Sequence, residues 1–320
     1  MRAVSGSCRA ATPAPAAFPR PEPALAPLAD WMRERQERFE AAAGRFLPPA
    51  EREPQRLHQA MRYAVLDGGK RIRPLLAYAA GELARADAAA LDHVALALEY
   101  VHAYSLVHDD MPCMDNDVLR RGKPTVHVAY GEATAMLAGD ALQAEAFRIL
   151  AAAPLAAATR LDLIDALARA AGTEGMCGGQ AIDLDAMDRA LDAAQIERMH
   201  RMKTGALLCA SVLMGARAGA LEATVLAALE RYAQALGLAF QIVDDILDVE
   251  ASDAELGKTA GKDRAQNKPT YVTVLGLEAA KQRAGQLHEA ALAALEQTGL
   301  SAARLQRLQQ LAGLVVSRRS

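Results

Sequence analysis

Residues 106–117 read LVHDDMPCMDND, and the fold turns on how this stretch is accommodated. Asp109, Asp110, Asp115 and Asp117 crowd together directly after apolar, helical sequence running from about Ala88 to His108. Carboxylates this close repel, and burying an uncompensated charge is costly. Pro112 lacks a backbone donor and crowds the carbonyl of His108, four residues back, so the helix must kink or stop there. The chain can then swing Asp115 back toward Asp109. Both would sit at a helix C-terminus, the negative end of the macrodipole, where anions are disfavoured. A cation has to come from elsewhere.

A second acidic stretch, FQIVDDILDVE, spans Phe240 to Glu250 and holds Asp244, Asp245 and Asp248 as DDxxD. Residues four apart on a helix share a face, about 6 Å apart along the axis, so Asp244 and Asp248 point the same way. Their neighbours Ile242, Val243, Ile246 and Leu247 make the helix mostly buried. One such cluster could be a solvated helix end; two, each after apolar helical sequence, point to a ligand. An EF-hand needs a glycine at loop position six and a glutamate at twelve, and neither cluster has them. Magnesium takes one or two carboxylates, keeps waters and completes its shell with substrate phosphates, which makes a metal–diphosphate complex the expected ligand.

Basic residues supply the opposite charge. DGGKRIRP places Lys70, Arg71 and Arg73 just after two glycines, which let backbone approach a ligand closely. LRRGKPTVH puts Arg120 and Arg121 directly after the first acidic cluster, and Lys203–Thr204, Lys258 and Lys262 add to the set. Arginine offers a fork of donors for phosphate oxygens. The glycines match no P-loop, and GMCGGQ, residues 175–180, is no dinucleotide fingerprint but a helix break beside a cavity.

Composition agrees with a helical protein. The chain has 320 residues, is rich in Ala and Leu, and carries only 4% aromatics, which favours helix over sheet. A net charge of −3 gives no reason to expect a nucleic-acid partner. Four scattered cysteines (8, 113, 177 and 209) argue against a zinc site or disulfide framework and for reduced thiols. No apolar run is long enough to span a bilayer, and no signal-peptide pattern is evident.

Residues 1–24 form an Ala/Pro-rich tail expected to be disordered. The rest, residues 25–320, reads as one all-α domain, a large helical bundle. Helices are expected near 88–108, 130–151, 159–177, 193–203, 204–218, 222–250, 269–295 and 301–316, with another opening around Pro74. The paired acidic motifs hint at pseudo-symmetry, although no convincing sequence repeat accompanies them.

The ordered set GGKRIRP, HAYSLVHDDMPCMDNDVLRRGKPTVH, GGQAIDL, KTGALL, FQIVDDILD and GKTAGKD resembles trans-isoprenyl diphosphate synthases, above all bacterial-type farnesyl diphosphate synthases. The likeness covers about residues 25–320. It implies an isoprenoid-synthase-type bundle around a central apolar cavity, a cytoplasmic homodimer, no membrane insertion, and three magnesium ions per active site. The implied reaction joins isopentenyl diphosphate to an allylic diphosphate. By position, Asp109, Asp110, Asp115, Asp244 and Asp248 would bind magnesium. Lys70, Arg73, His102 and Arg121 would hold isopentenyl diphosphate. Arg120, Lys203, Thr204, Gln241 and Lys258 would hold the allylic diphosphate, and the carboxylates with Lys203 would form the catalytic set. Asn116 departs from the family, where many relatives have Asp, and Met111 stands where Leu is usual.

Tyr104 and Ser105 lie about one turn deeper than Asp109. Tyr104, the bulkier, could form a floor that stops the product at fifteen carbons. The rival readings are a geranylgeranyl diphosphate synthase, a terpene cyclase, and a silent partner subunit. A cyclase has no use for a second diphosphate site, which Lys70, Arg73 and Arg121 would supply; a silent subunit would be expected to have lost an acidic cluster.

Overall fold

The computed structural model describes residues 26–66, 68–186, 191–250 and 270–317. Helices α1 (Leu28–Phe46), α2 (Gln55–Val65), α3 (Ile72–Leu83) and α4 (Ala88–Asp109) come first. A tight antiparallel hairpin of two two-residue strands, β1 (Leu119–Arg120) and β2 (Lys123–Pro124), follows, then α5 (Val126–Tyr130), α6 (Glu132–Ala151), α7 (Ala157–Ala171) and α8 (Met176–Asp185). Next come α9 (Ala193–His200), α10 (Ala206–Arg217), α11 (Ala223–Glu250), α12 (Tyr271–Leu275), α13 (Leu277–Glu296) and α14 (Ala302–Ser317). The expected tail and the segment carrying Lys258 and Lys262 lie outside the described residues.

Burial explains the arrangement. Helix α4 is apolar on nearly all sides, from Ala90 to Val107, as a helix at the centre of a bundle must be. It starts on Asp87, whose carboxylate accepts from the Ala89 and Ala90 N–H groups at 2.8 and 3.2 Å. Helix α4 packs on α6 and α3, α3 on α10, and α11 on α10 and α13. A second, smaller apolar cluster joins Ile196 of α9 to Ile242 and Ile246 of α11, Tyr271, and Leu287 of α13.

Several boundaries differ from the sequence expectation. The helices expected at 193–203 and 204–218 run together: α9 passes through a π turn at Arg201–Gly205 straight into α10. The helix expected at 159–177 ends at Ala171. The break expected in GMCGGQ comes earlier, in a turn over residues 172–175, and Met176 to Gln180 already belong to α8. Gly179 is needed inside that helix because a Cβ there would lie 2.2 Å from the Lys203 backbone nitrogen, so α8 packs directly on the π turn.

The expected single helices at 130–151 and 269–295 are each interrupted, by Gly131 (φ 86, ψ 154) and Gly276 (φ 84, ψ 156). These two breaks expose an internal repeat that sequence reading passed over. KPTVHVAYGEA (residues 123–133) and KPTYVTVLGLEA (residues 268–279) each follow an aspartate pair. Each places a threonine before a five-residue helix, a left-handed glycine and a twenty-residue helix.

Candidate active site

The first acidic cluster closes into a tight turn. The Asp115 N–H donates to the Asp109 carbonyl at 2.8 Å, and the Asp117 N–H donates to the Asp110 carbonyl at 3.1 Å. Pro112 thus ends the helix and the chain doubles back, as its chemistry requires. Asn116 has a φ of +50°, a left-handed conformation that asparagine tolerates well. The unusual Asn in this motif therefore has a backbone reason.

The two adjacent aspartates separate. Asp110 is buried, and both its oxygens accept from Arg120, at 2.6 and 2.9 Å. Its carboxylate is the counter-ion that holds Arg120, a partner that Asp109 does not share. Asp109 lines the cavity instead. Burial pushes its carboxyl up to about 6; Lys203 and Arg120 oppose that rise, while Asp115 and Asp110 add to it. A carboxyl raised in this way is ionised more readily when a cation lies beside it.

In the second cluster the aspartates divide in the same way. Asp245 is buried and accepts from His200 Nε2 at 3.1 Å, from Gln241 Nε2 at 3.0 Å and from the Tyr271 N–H at 2.8 Å. It ties α9, α11 and α12 together. Asp244 lines a cavity, and Asp248, one turn on, is exposed. Gln241 takes the Thr204 hydroxyl at 2.7 Å. Both ends of the Gln241 amide are engaged, so it joins Thr204 to Asp245. Lys203 Nζ donates to buried Asp183 at 2.6 Å.

Two hollows meet at these residues. One, of about 460 Å³, is largely apolar; Met111, Met114, Met136, Met176 and Leu184 line it along with Tyr104, Ser105, Asp109 and Lys203. The other, of about 660 Å³, is lined by Lys70, Arg71, Arg73, Arg120, Arg121 and Asp244. Arg73, His102, Leu106 and Thr204 belong to both and form the dividing wall.

The cationic chamber is strongly preorganised. Arg71 is held by Glu40 and Glu99, each at 2.9 Å or less, and by the Val65 carbonyl. It is therefore a buttress for its neighbours. Arg73 has a buried Nε with no hydrogen-bond partner among the described residues, and burial lowers its pKa. A buried donor without a partner costs stability unless a ligand satisfies it. Arg121 donates to the Gly68 carbonyl at 3.0 Å, and its guanidinium lies on Gly69. Gly69 has a φ of +103°, and a Cβ there would be 2.6 Å from Arg121 Nη1. The glycine pair thus makes room for an arginine, where sequence alone suggested room for a ligand. Burial and the charges of Arg73, Arg121, Arg120 and Arg71 hold His102 well below the usual imidazole range.

The structure brings Lys70, Arg73, His102, Arg120, Arg121, Lys203, Thr204, Asp109 and Asp244 onto the two chamber walls. Lys258 lies outside the described residues. Sequence reading does not single out Asp183, and it names Asp245 in DDxxD without a role of its own. Asp183 falls in GGQAIDL, three residues after Gln180 on one helix face, a spacing that could have flagged it. Among the described residues, no three Asp, Glu, His or Cys side chains converge as a metal cage. The oxygen-only donors Asp109, Asp115, Asp244 and Asp248 suit magnesium, which binds few carboxylates and takes the rest of its shell from water and phosphate.

An all-α bundle with a greasy chamber opening into a cationic one defines the class of isoprenoid synthases. A family model described as polyprenyl synthetase matches residues 54–306. The chain is 49% identical over 286 residues to a "Probable farnesyl diphosphate synthase" of Sinorhizobium fredii (strain NBRC 101917 / NGR234), covering 88% of this chain and 86% of that one. It is 46% identical over 281 residues to the "Farnesyl diphosphate synthase" of Escherichia coli (strain K12), covering 87% and 94%. Among solved structures, the apo FPP/GFPP synthase from Zymomonas mobilis superposes with a TM-score of 0.81 at 41% identity, covering 91% of this chain and 99% of that one. The chain belongs to the polyprenyl synthetase family.

Proposed function

We propose that this protein condenses isopentenyl diphosphate head-to-tail with dimethylallyl or geranyl diphosphate and releases farnesyl diphosphate. The carrying observation is the wall of Arg73, His102, Leu106 and Thr204 shared by an apolar and a cationic chamber. Two diphosphates can be held around these residues with their hydrocarbon ends adjacent, which is the proximity a carbon–carbon bond requires. Relatives bearing the farnesyl diphosphate synthase name at 46–49% identity support the fifteen-carbon product over a longer one.

Lys70, Arg73, His102 and Arg121 hold isopentenyl diphosphate. His102, kept neutral, offers a hydrogen bond without adding charge. Lys203, Thr204 and Arg120 hold the allylic diphosphate, each braced from behind by Asp183, Gln241 and Asp110 respectively. Asp109, Asp115, Asp244 and Asp248 would hold magnesium, three ions per site, which supplies Lewis-acid neutralisation of the departing diphosphate. The allylic C–O bond breaks, the alkene of isopentenyl diphosphate attacks the resulting allylic cation, and the departing diphosphate takes the released proton. Lys203 and Arg120 stabilise the charge that develops on the leaving group. Leu106, Met111, Met114, Met176 and Leu184 exclude water, which would trap the cation as an alcohol.

Tyr104 is the floor of the apolar chamber. The Ser105 hydroxyl folds onto the His102 carbonyl at 2.9 Å and leaves the obstruction to its larger neighbour.

The protein works as a cytoplasmic homodimer. A second copy would cover Val128, Leu137 and Leu161, which stand 50%, 56% and 66% exposed on α5, α6 and α7. No described helix is long and apolar enough to cross a membrane.

The deciding experiment incubates purified protein with magnesium, isopentenyl diphosphate and geranyl diphosphate and separates the products by chain length. Farnesyl diphosphate as the main product is expected. A twenty-carbon main product would favour geranylgeranyl diphosphate synthesis, and no product would favour a silent subunit.

A further inference from the structure

A contact between two helices crosses one side of the apolar chamber, at an exposed cysteine. Tyr104 Oη, on α4, lies 3.7 Å from Cys177 Sγ, at the start of α8, and both residues line the chamber. That distance is hydrogen-bonding contact for sulfur. A hydrocarbon chain passing between the two atoms needs van der Waals clearance on each side, about 7 Å in all. Nothing can thread this gap while the contact stands.

Each partner is held in place separately. The Tyr104 ring packs edge-on against His108, one turn on along α4, with centroids 5.8 Å apart. Cys177 sits on the first turn of α8, which is pinned to the π turn at Gly179 because any larger residue there would strike the Lys203 backbone. The cysteine therefore cannot retreat by sliding its helix. The same helix turn carries Gln180, which lines the chamber and has a buried Nε2 without a hydrogen-bond partner among the described residues.

We infer that product length is set by a latch of Tyr104 and Cys177 closed across α4 and α8, rather than by the tyrosine alone. This deepens the floor reading above and rests on it. Cys177 is thus a specificity-determining residue that acts on the growing end of the chain. The latch opens when either partner is shortened, and it moves inward when Cys177 is enlarged.

The test measures product chain lengths from isopentenyl diphosphate with geranyl diphosphate, in the full-length protein, for Tyr104→Ala, Cys177→Ala, Cys177→Ser and Cys177→Phe. Thermal melting checks folding of each. Cys177→Ala is expected to raise products of twenty carbons or more at least tenfold, although Tyr104 is intact. Cys177→Ser keeps a small hydrogen-bonding side chain and should stay at fifteen carbons. Cys177→Phe should lower kcat/KM for geranyl diphosphate at least tenfold more than for dimethylallyl diphosphate, so that geranyl diphosphate accumulates. Lengthening by Tyr104→Ala with unchanged product from both Cys177→Ala and Cys177→Phe would overturn the latch and keep the tyrosine floor. Unchanged product from Tyr104→Ala would remove the floor itself, and the latch with it. Lengthening by Cys177→Ser as well as Cys177→Ala would also overturn the latch, since the contact would then be irrelevant. Should Cys177→Ala fail to fold, the Cys177→Phe primer preference decides alone.

Discussion

Lys203 and Asp183, twenty residues apart, meet with Nζ 2.6 Å from Oδ2. Asp183 is buried while Lys203 reaches the chamber wall, so the pair aims the ammonium group. Asp183→Asn keeps the shape and removes the charge. We expect kcat/KM for geranyl diphosphate to fall about tenfold, or ~1.4 kcal/mol of transition-state stabilisation, with KM for isopentenyl diphosphate unchanged. Wild-type steady-state kinetics would show that Lys203 needs no such tether.

The neighbours Asp109 and Asp110 should separate function from stability. Asp109 has a carboxyl raised above its unfolded value, so its ionised form costs stability at neutral pH. Asp109→Asn is expected to keep or raise the melting temperature while cutting kcat on the order of a hundredfold to a thousandfold. Asp110→Asn leaves Arg120 without its bidentate partner and should destabilise the fold by about 2 kcal/mol. Calorimetry and turnover on both variants check the contrast; equal melting temperatures would contradict it.

Gly69→Ala should weaken one substrate selectively. The added methyl would meet the Arg121 guanidinium at 2.6 Å, on a backbone already at φ +103°. Displacing Arg121 is expected to raise KM for isopentenyl diphosphate about tenfold, equivalent to ~1.4 kcal/mol, and to leave the allylic KM nearly unchanged. Equal effects on both substrates would mean that Arg121 is not confined to one chamber.

Pro112 controls how the aspartates converge. With Pro112→Ala the helix can continue past Asp109, and the Asp115-to-Asp109 backbone bond at 2.8 Å is no longer enforced. The magnesium concentration for half-maximal activity should rise roughly three- to tenfold, or ~1 kcal/mol. An unshifted magnesium titration would show that the turn forms without its proline.

His102 provides a pH signature. Its folded pKa lies below the usual 6.5, from burial first and then from the four arginines. The stability linked to its neutral form is complete above the unfolded value and is lost as pH falls through the folded one. Nitrogen-resolved NMR should show the ring unprotonated from pH 8 down to 6. His102→Gln should reduce the loss of melting temperature below pH 6.5. A ring titrating at the ordinary imidazole value would refute this.

Composition and periodicity made the helices legible, and Pro112 made the doubled-back acidic turn legible, because both are local effects. The sites that escaped notice depend on partners distant in the chain. Asp110 and Asp109 look alike in sequence; only Arg120, brought back by the hairpin, divides their roles. Asp245 differs from Asp244 because His200 and the Tyr271 N–H converge on it from far along the chain. The π turn at Arg201–Gly205 has no compositional cue, since Lys203 and Thr204 fit an ordinary helix as well. The repeat around Gly131 and Gly276 hides behind divergent side chains and shows itself in matching backbone angles.

Arg73, His102, Leu106 and Thr204 face both compartments at once, and this geometry imposes a relay on every catalytic cycle. On the proposed assignment each new product is born with its charged head on Lys70, Arg73 and Arg121, and to serve as primer again it must pass that head to Lys203 and Arg120. If Tyr104 and Cys177 bar the far end as inferred above, each added isoprene unit makes that passage harder. Crossing then competes poorly with departure, so the same partition that joins two substrates also decides when the enzyme lets go.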